Sequence, residues 1–209
     1  MNRENSPKLG IKREPAQARS RLLVEKLCET TLELAAERGL RNLNTNLIAA
    51  HAGVDISSLY RFFASKEAIL FYIADQWLAE IREVYSRFEQ DPDLLALPWR
   101  AYFARLLEDW NLPGHYSKYT ALEGLWHVYP ELRELEERHL RFHVEFFLRQ
   151  LKRFGARGTP TQWRPLAIYA FVVEDAVNEL AARSEKKLGR DLTAIYRDSL
   201  FSQLAKLLD

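Results

Sequence analysis

The sequence predicts an all-α protein of about nine helices: an N-terminal three-helix head of helix-turn-helix type and a C-terminal helical bundle. Apolar residues recur every three or four positions through most of the 209 residues. No segment alternates apolar and polar residues as a half-buried strand does. Glycine, proline and short polar side chains punctuate the chain at helix-length intervals. Hydrophobic residues make up 47% and charged residues 28%, ordinary for a globular protein and too apolar for a disordered one.

Residues 1–15 are polar, hold Pro7, Gly10 and Pro15, and read as a flexible basic arm. No proline occurs between Ala16 and Asp91. Leu23, Leu27, Thr31 and Leu34 share a face with Val24, Cys28 and Ala35, giving a long first helix that Gly39 ends. Thr45 is the expected cap of a short helix over 46–52, and Asp55 of another over 56–62. Ser65 caps a long helix over 66–88 with Glu67 near its positive end. Pro92, Pro98 and Pro113 bracket a helix over 98–110, and a shorter one lies over 116–128. Pro130 opens one over 131–154. The next starts at Thr161 or a neighbour and is expected to break at Gly189, with Asp191 capping the last helix. The organisation is therefore arm 1–15, head 16–64 and body 65–209.

The net charge of +1 hides an asymmetry. Residues 1–66 hold 11 Lys and Arg against 7 Asp and Glu, and the remainder 19 against 22. Only three of the 25 aromatic residues precede Lys66. A basic, aromatic-poor head points to an anionic partner for that end.

The stretch from Thr45 to Leu70 carries the most information. Two short helices joined by a glycine-containing turn make a helix-turn-helix. Leu47, Ile48, Ala49, Leu59 and Phe62 supply its core, Gly53 permits the turn and Val54 fills the angle. Ile56, Ser57, Ser58, Tyr60 and Arg61 are left pointing outward, suited to a DNA major groove.

Glu37-Arg38-Gly39, Thr45 with Ile48-Ala49, Ala52-Gly53-Val54, Leu59-Tyr60 with Phe63, and Ser65-Lys66-Glu67 follow one another at fixed spacing. This run resembles the TetR family of bacterial transcriptional regulators over residues 19–75. Beyond it, only the helical architecture is similar. Asp55 stands where the family usually has Ser or Thr, and Ser57 where it has Gly or Ala, so no operator sequence carries over. The resemblance implies phosphate contacts from Tyr60 and Lys66, with Thr45 and Asn46 beside them. Ile56, Ser57, Ser58 and Arg61 are the candidates for base edges. Lys8, Lys12, Arg13, Arg19 and Arg21 of the arm and first helix are candidates for further DNA contacts.

The resemblance also implies a ligand pocket in the body. Tyr102, Phe103, Trp110, Tyr116, Tyr119, Trp126, Phe142, Phe146, Phe147, Trp163, Tyr169 and Phe171 are its candidate apolar walls, favouring an effector with apolar surface. Glu123, His127, His143 and Asn178 are the candidate polar groups. The last two helices, through Leu166, Ala170, Val173, Val177, Leu180, Leu200 and Leu204, are expected to form a homodimer matching a palindromic operator.

Other classes are expected to be absent. The one cysteine, Cys28, makes no internal disulfide and fits a reducing cytoplasm. No apolar run reaches a membrane span. Glu136, His139 and His143 share a helix face but form only half of a paired metal motif, so no metal is expected. No nucleophile elbow or phosphate loop suggests an enzyme or a cofactor. The expected function is a ligand-responsive DNA-binding regulator, a repressor released from its operator by a small molecule. The rival is a helical ligand-binding protein whose head has weakened or lost DNA binding.

Overall fold

The computed structural model describes residues 9–110, 120–122 and 124–209, with the backbone alone for Asp109, Trp110, Thr120, Trp126 and Glu131. Among these residues the all-α expectation is borne out. The helices are α1 Ala18–Arg38, α2 Thr45–His51, α3 Ile56–Phe62, α4 Lys66–Gln90, α5 Pro92–Leu95, α6 Trp99–Trp110, α7 Leu125–Val128, α8 Arg133–Arg153, α9 Pro160–Arg183 and α10 Lys186–Leu208. An isolated antiparallel bridge joins Ile11 and Phe63. The described residues fall into two compact units. The first lies within Met1–Ile81 and Pro113–Leu135, the second within Arg82–Leu112 and Glu136–Asp209. No described helix is long and apolar enough to cross a membrane.

In the first unit α1 ends as its sequence predicts. Gly39 takes φ +79°, open to glycine, and its N–H bonds the Ala35 carbonyl at 2.9 Å. The cap of α2 is Asn44 and not Thr45: the Asn44 side-chain oxygen accepts from the Leu47 N–H at 2.8 Å. Of two adjacent capping side chains, the earlier one holds the third helical N–H, which leaves the Thr45 hydroxyl available elsewhere. Gly53 turns the chain at φ +62°. Asp55 stands at the cap position of α3 in extended backbone, yet its carboxylate makes no cap hydrogen bond. Ser65 accepts from the Ala68 N–H at 3.3 Å at the start of α4. Leu27, Leu34, Ile48, Leu59, Phe63, Ile69 and Leu70 are fully buried, each contributing about 1.5–3 kcal/mol of apolar burial.

In the second unit Asp91 caps the single turn α5 by accepting from the Asp93 N–H at 2.9 Å, an element the proline spacing did not reveal. Thr159 and Gln162 form a capping box at the start of α9. The break between the last two helices falls at Ser184 and Glu185, so Gly189 and Asp191 lie inside α10 and not at its end. Gly189 answers to packing. A Cβ there would sit 3.1 Å from the Ala181 carbonyl oxygen, so the missing side chain lets α9 and α10 approach closely. Edge-to-face pairs fill the core, with ring centroids 5.4 Å apart for Phe88 and Tyr102 and 4.6 Å for Tyr85 and Phe146.

Candidate nucleic-acid interface and cavities

The face of α3 is built by its short length. Leu59 and Phe62 are its buried residues, so two of its seven residues are committed to the core. Ser57, Tyr60 and Arg61 are exposed, Ile56 and Ser58 half-buried. On α2, Asn46 is exposed and Thr45 half-buried. The Tyr60 and Thr45 hydroxyls lie 3.0 Å apart, which draws two of the sequence candidates into one polar pair across the helix-turn-helix. Tyr60 is 43% exposed, so its ring tip remains reachable.

The Lys66 ammonium donates to the Leu43 carbonyl at 2.9 Å and lies 5.5 Å from the Tyr129 ring centroid. One of its three N–H groups is thus engaged within the head. Lys8 lies outside the described residues, and the described part of the arm bonds to α3 through Lys12. The Lys12 backbone N–H donates to the Phe62 carbonyl at 2.7 Å and its ammonium to the Tyr60 carbonyl at 2.9 Å. Both acceptors belong to the last turn of α3, whose carbonyls have no partner inside the helix. Arg13 and Arg61 line one polar pocket beside this junction.

The second unit holds two cavities. A gap of about 20 Å³, room for about one water molecule, is walled by Tyr85, Phe103, His143, Phe146, Phe171, Glu174 and Tyr196 among others. A wider cleft of about 1110 Å³ is lined by the end of α6, by α9 from Glu174 to Ala182, and by α10 from Lys186 to Asp198. Phe103, His143, Phe146, Phe147 and Phe171 of the sequence candidates thus meet at the gap, and Asn178 at the cleft. Tyr102, Phe142 and Tyr169 belong to the same unit but stand outside both sets of walls. The Tyr102 hydroxyl donates to the Phe88 carbonyl at 3.0 Å, and that of Tyr169 pairs with Ser199 at 2.8 Å. His127 is exposed in the first unit. Tyr116, Tyr119 and Glu123, and the side chains of Trp110 and Trp126, lie outside the described residues.

His139 and His143 face each other with their Nε2 atoms 3.0 Å apart. Burial holds both neutral: it pushes His139 down to about 3 with help from Arg82, and His143 well below its ordinary value with help from His139 and Arg82. Glu136 is exposed, and the described residues contain no group of three side chains able to hold a metal ion.

Glu174 is the functional candidate that sequence reasoning missed. It and Asn178 are each 9% exposed, and among the described residues Glu174 Oε1, Asn178 Nδ2 and His139 Nδ1 have no hydrogen-bond partner. Each such atom costs about 1–3 kcal/mol. Burial, with Asp175 adding, raises the Glu174 carboxyl to about 8. A signal was present: Ala167, Ala170, Glu174 and Asn178 follow at helical spacing on one stripe of α9, and a carboxyl on an apolar stripe announces itself.

The last two helices expose apolar side chains among charged ones. Ile168, Val172 and Leu180 on α9 and Leu188 and Ile195 on α10 are exposed. Of the residues expected at a dimer interface, Ala170, Leu200 and Leu204 are buried within the unit; Leu166, Val173 and Val177 are half-buried, and Leu180 is exposed.

Residues 27–73 match the family model described as bacterial regulatory proteins, tetR family. Among solved structures, the chain is similar to a TetR-family transcriptional regulator from Syntrophomonas wolfei, with TM-score 0.65, 16% identity and coverage of 88% of this chain and 96% of that one. The fatty acid degradation regulator FadR from Bacillus halodurans gives TM-score 0.63, 16% identity and coverage of 92% and 96%. A TetR-family regulator from Streptomyces coelicolor gives TM-score 0.59, 23% identity and coverage of 89% and 99%. At these identities the likeness is one of fold. No curated protein matches the sequence.

Proposed function

We propose, from the match of residues 27–73 to the TetR family model, that this chain is a ligand-responsive repressor of that family that binds a palindromic operator as a homodimer. The observation that carries this is the α3 face. Ser57, Tyr60 and Arg61 stand exposed on a helix whose other side is core, the arrangement a major groove accepts. Ser57, Ser58, Arg61 and Ile56 read base edges, while Tyr60, Thr45, Asn46 and Lys66 hold phosphates and fix the register.

The exposed apolar side chains of α9 and α10 form the homodimer surface. The two-fold symmetry of such a homodimer matches a palindromic operator, whose half-sites lie about 34 Å apart, one turn of DNA. Effector binding in the second unit acts through α4, the helix that runs on from the head into that unit. The effector lowers operator affinity by as much as it prefers the conformation whose heads are out of register. Substituting Val172 and Ile195, 48% and 68% exposed, by Lys is expected to yield a folded monomer in sedimentation. A dimer of unchanged affinity would refute this interface.

The rival reading, a ligand-binding protein with lost DNA binding, is favoured by Asp55, whose uncapped and exposed carboxylate begins α3. Tyr60→Phe combined with Lys66→Ala separates the two. Loss of duplex affinity supports the regulator, and no change in any DNA association supports the rival.

A further inference from the structure

Glu174 and Asn178 stand about one turn apart on the same face of α9, each with an unbonded polar atom. Both side chains are 9% exposed, both line the 1110 Å³ cleft, and neither Glu174 Oε1 nor Asn178 Nδ2 has a partner among the described residues. Glu174 also borders the small aromatic gap, so it lines both spaces. Two buried polar atoms left open on one helix face, on the wall of a space large enough for a small molecule, are a site that awaits its partner.

The chemistry of that partner follows from the donors and acceptors. Asn178 Nδ2 can only donate, so the ligand must offer an acceptor there. The Glu174 carboxyl, which burial keeps protonated at neutral pH, offers a carbonyl oxygen that accepts and an O–H that donates, so it can meet either side of an amide edge. Lys186, Arg190 and Arg197 line the same cleft against Glu108 and Asp198, a lining that does not favour a cation. Leu107, Ala181, Ala194 and Tyr196 provide apolar wall. A flat group with a C=O beside an N–H satisfies both open atoms at once.

We propose that the cleft between α9 and α10 binds an uncharged amphipathic molecule through a carboxamide-type edge, an amide, lactam or imide, whose C=O accepts from Asn178 and whose N–H donates to Glu174. This names the chemical class of the effector, and its consequence for DNA rests on the regulator reading. The binding itself does not.

The test uses the full chain, free of DNA, and calorimetric titration with octanamide, octanoate and octylammonium, which share a chain and differ in head group. Octanamide is expected to bind about tenfold or more tighter than the other two, the worth of about one well-made buried hydrogen bond. Glu174→Gln keeps a neutral carbonyl acceptor and should retain octanamide within about threefold, whereas Glu174→Leu with Asn178→Leu should lose about tenfold or more. Thermal melting confirms that each variant is folded. Octylammonium binding most tightly and failing with Glu174→Gln would overturn the proposal in favour of a carboxylate that captures cations. Preference for octanoate, indifference to the double substitution, or no octanamide binding at about 1 mM, the weak end of specific association, would overturn it as well. A protein that binds octanamide and no duplex keeps this inference and loses the regulator reading. One that binds its operator and no amide does the reverse.

Discussion

The helix-turn-helix and the second unit treat their polar groups in opposite ways. In the first unit, Asn44 holds the Leu47 N–H, Thr45 meets Tyr60, Lys66 holds the Leu43 carbonyl, and Lys12 closes the end of α3. In the second unit, buried His139, Glu174 and Asn178 each keep an open polar atom, and Glu174 and Asn178 do so on the wall of a cavity. A surface that must present side chains in fixed register to a rigid duplex gains from local hydrogen bonds that permit one arrangement. On the proposed function, the second unit gains from groups whose best partner is a small molecule arriving from outside.

The largest effect expected from breaking this contrast lies on α3. Ser57 is exposed, so Ser57→Glu should leave the fold intact while setting a carboxylate against the groove. Operator affinity should fall by about 10²-fold or more, since an opposed like charge costs several kcal/mol. Anisotropy titration measures the loss, and an unchanged melting temperature shows that it is not unfolding.

A second test addresses the open groups through pH. Glu174 ionises near 4.5 in the unfolded chain and about 8 in the folded one. Above 4.5 the unfolded state therefore loses its proton first, and stability falls as pH rises from 4.5 to about 8. His143 and Tyr196 wall the same gap as Glu174, and Asp175 adjoins it along the chain. Glu174→Gln removes this loss, so its advantage over wild type in denaturant melts should grow from pH 5 to 8 and then stop growing. His139 acts at the other end. Its value drops from 6.5 to about 3 on folding, so the unfolded state takes up the proton first and stability falls as pH drops from 6.5 to about 3. That acid limb should persist in Glu174→Gln. An advantage that does not vary with pH would show that Glu174 is solvated.

The smallest effect sharpens the cap. Asn44→Ala should cost about 1 kcal/mol in thermal melts, and Thr45→Ala less, because Asn44 and not Thr45 holds the Leu47 N–H. Equal costs would restore Thr45 as the cap.

The head was legible in the sequence because its signals are local. Gly39 and Gly53 sit where the backbone turns to positive φ, and the burial of Leu27, Leu34, Ile48 and Leu59 follows from spacing within single helices. Neighbouring capping side chains blurred the choice of Asn44. The second unit was harder because its features arise between distant elements. Gly189 looked like a helix end, yet contact with Ala181 on α9 gives it its role. Glu174 is buried by packing among α6, α8, α9 and α10, which no single stretch reports, while Phe103, His143 and Phe146 were found because aromatic and polar residues on apolar stripes are visible in one helix. Tyr102 and Tyr169 carry the same local signal and serve instead to bond the Phe88 carbonyl and Ser199.

Fluorescence anisotropy with the duplex from upstream of its own gene and a random duplex, each titrated at low and high salt, tests the central claim most directly. The account predicts that the upstream duplex binds about 10³-fold or more tighter near physiological salt, as specific regulators do, with both affinities falling as salt rises. Affinities for the two duplexes equal within about threefold, far below any specific ratio, would contradict it.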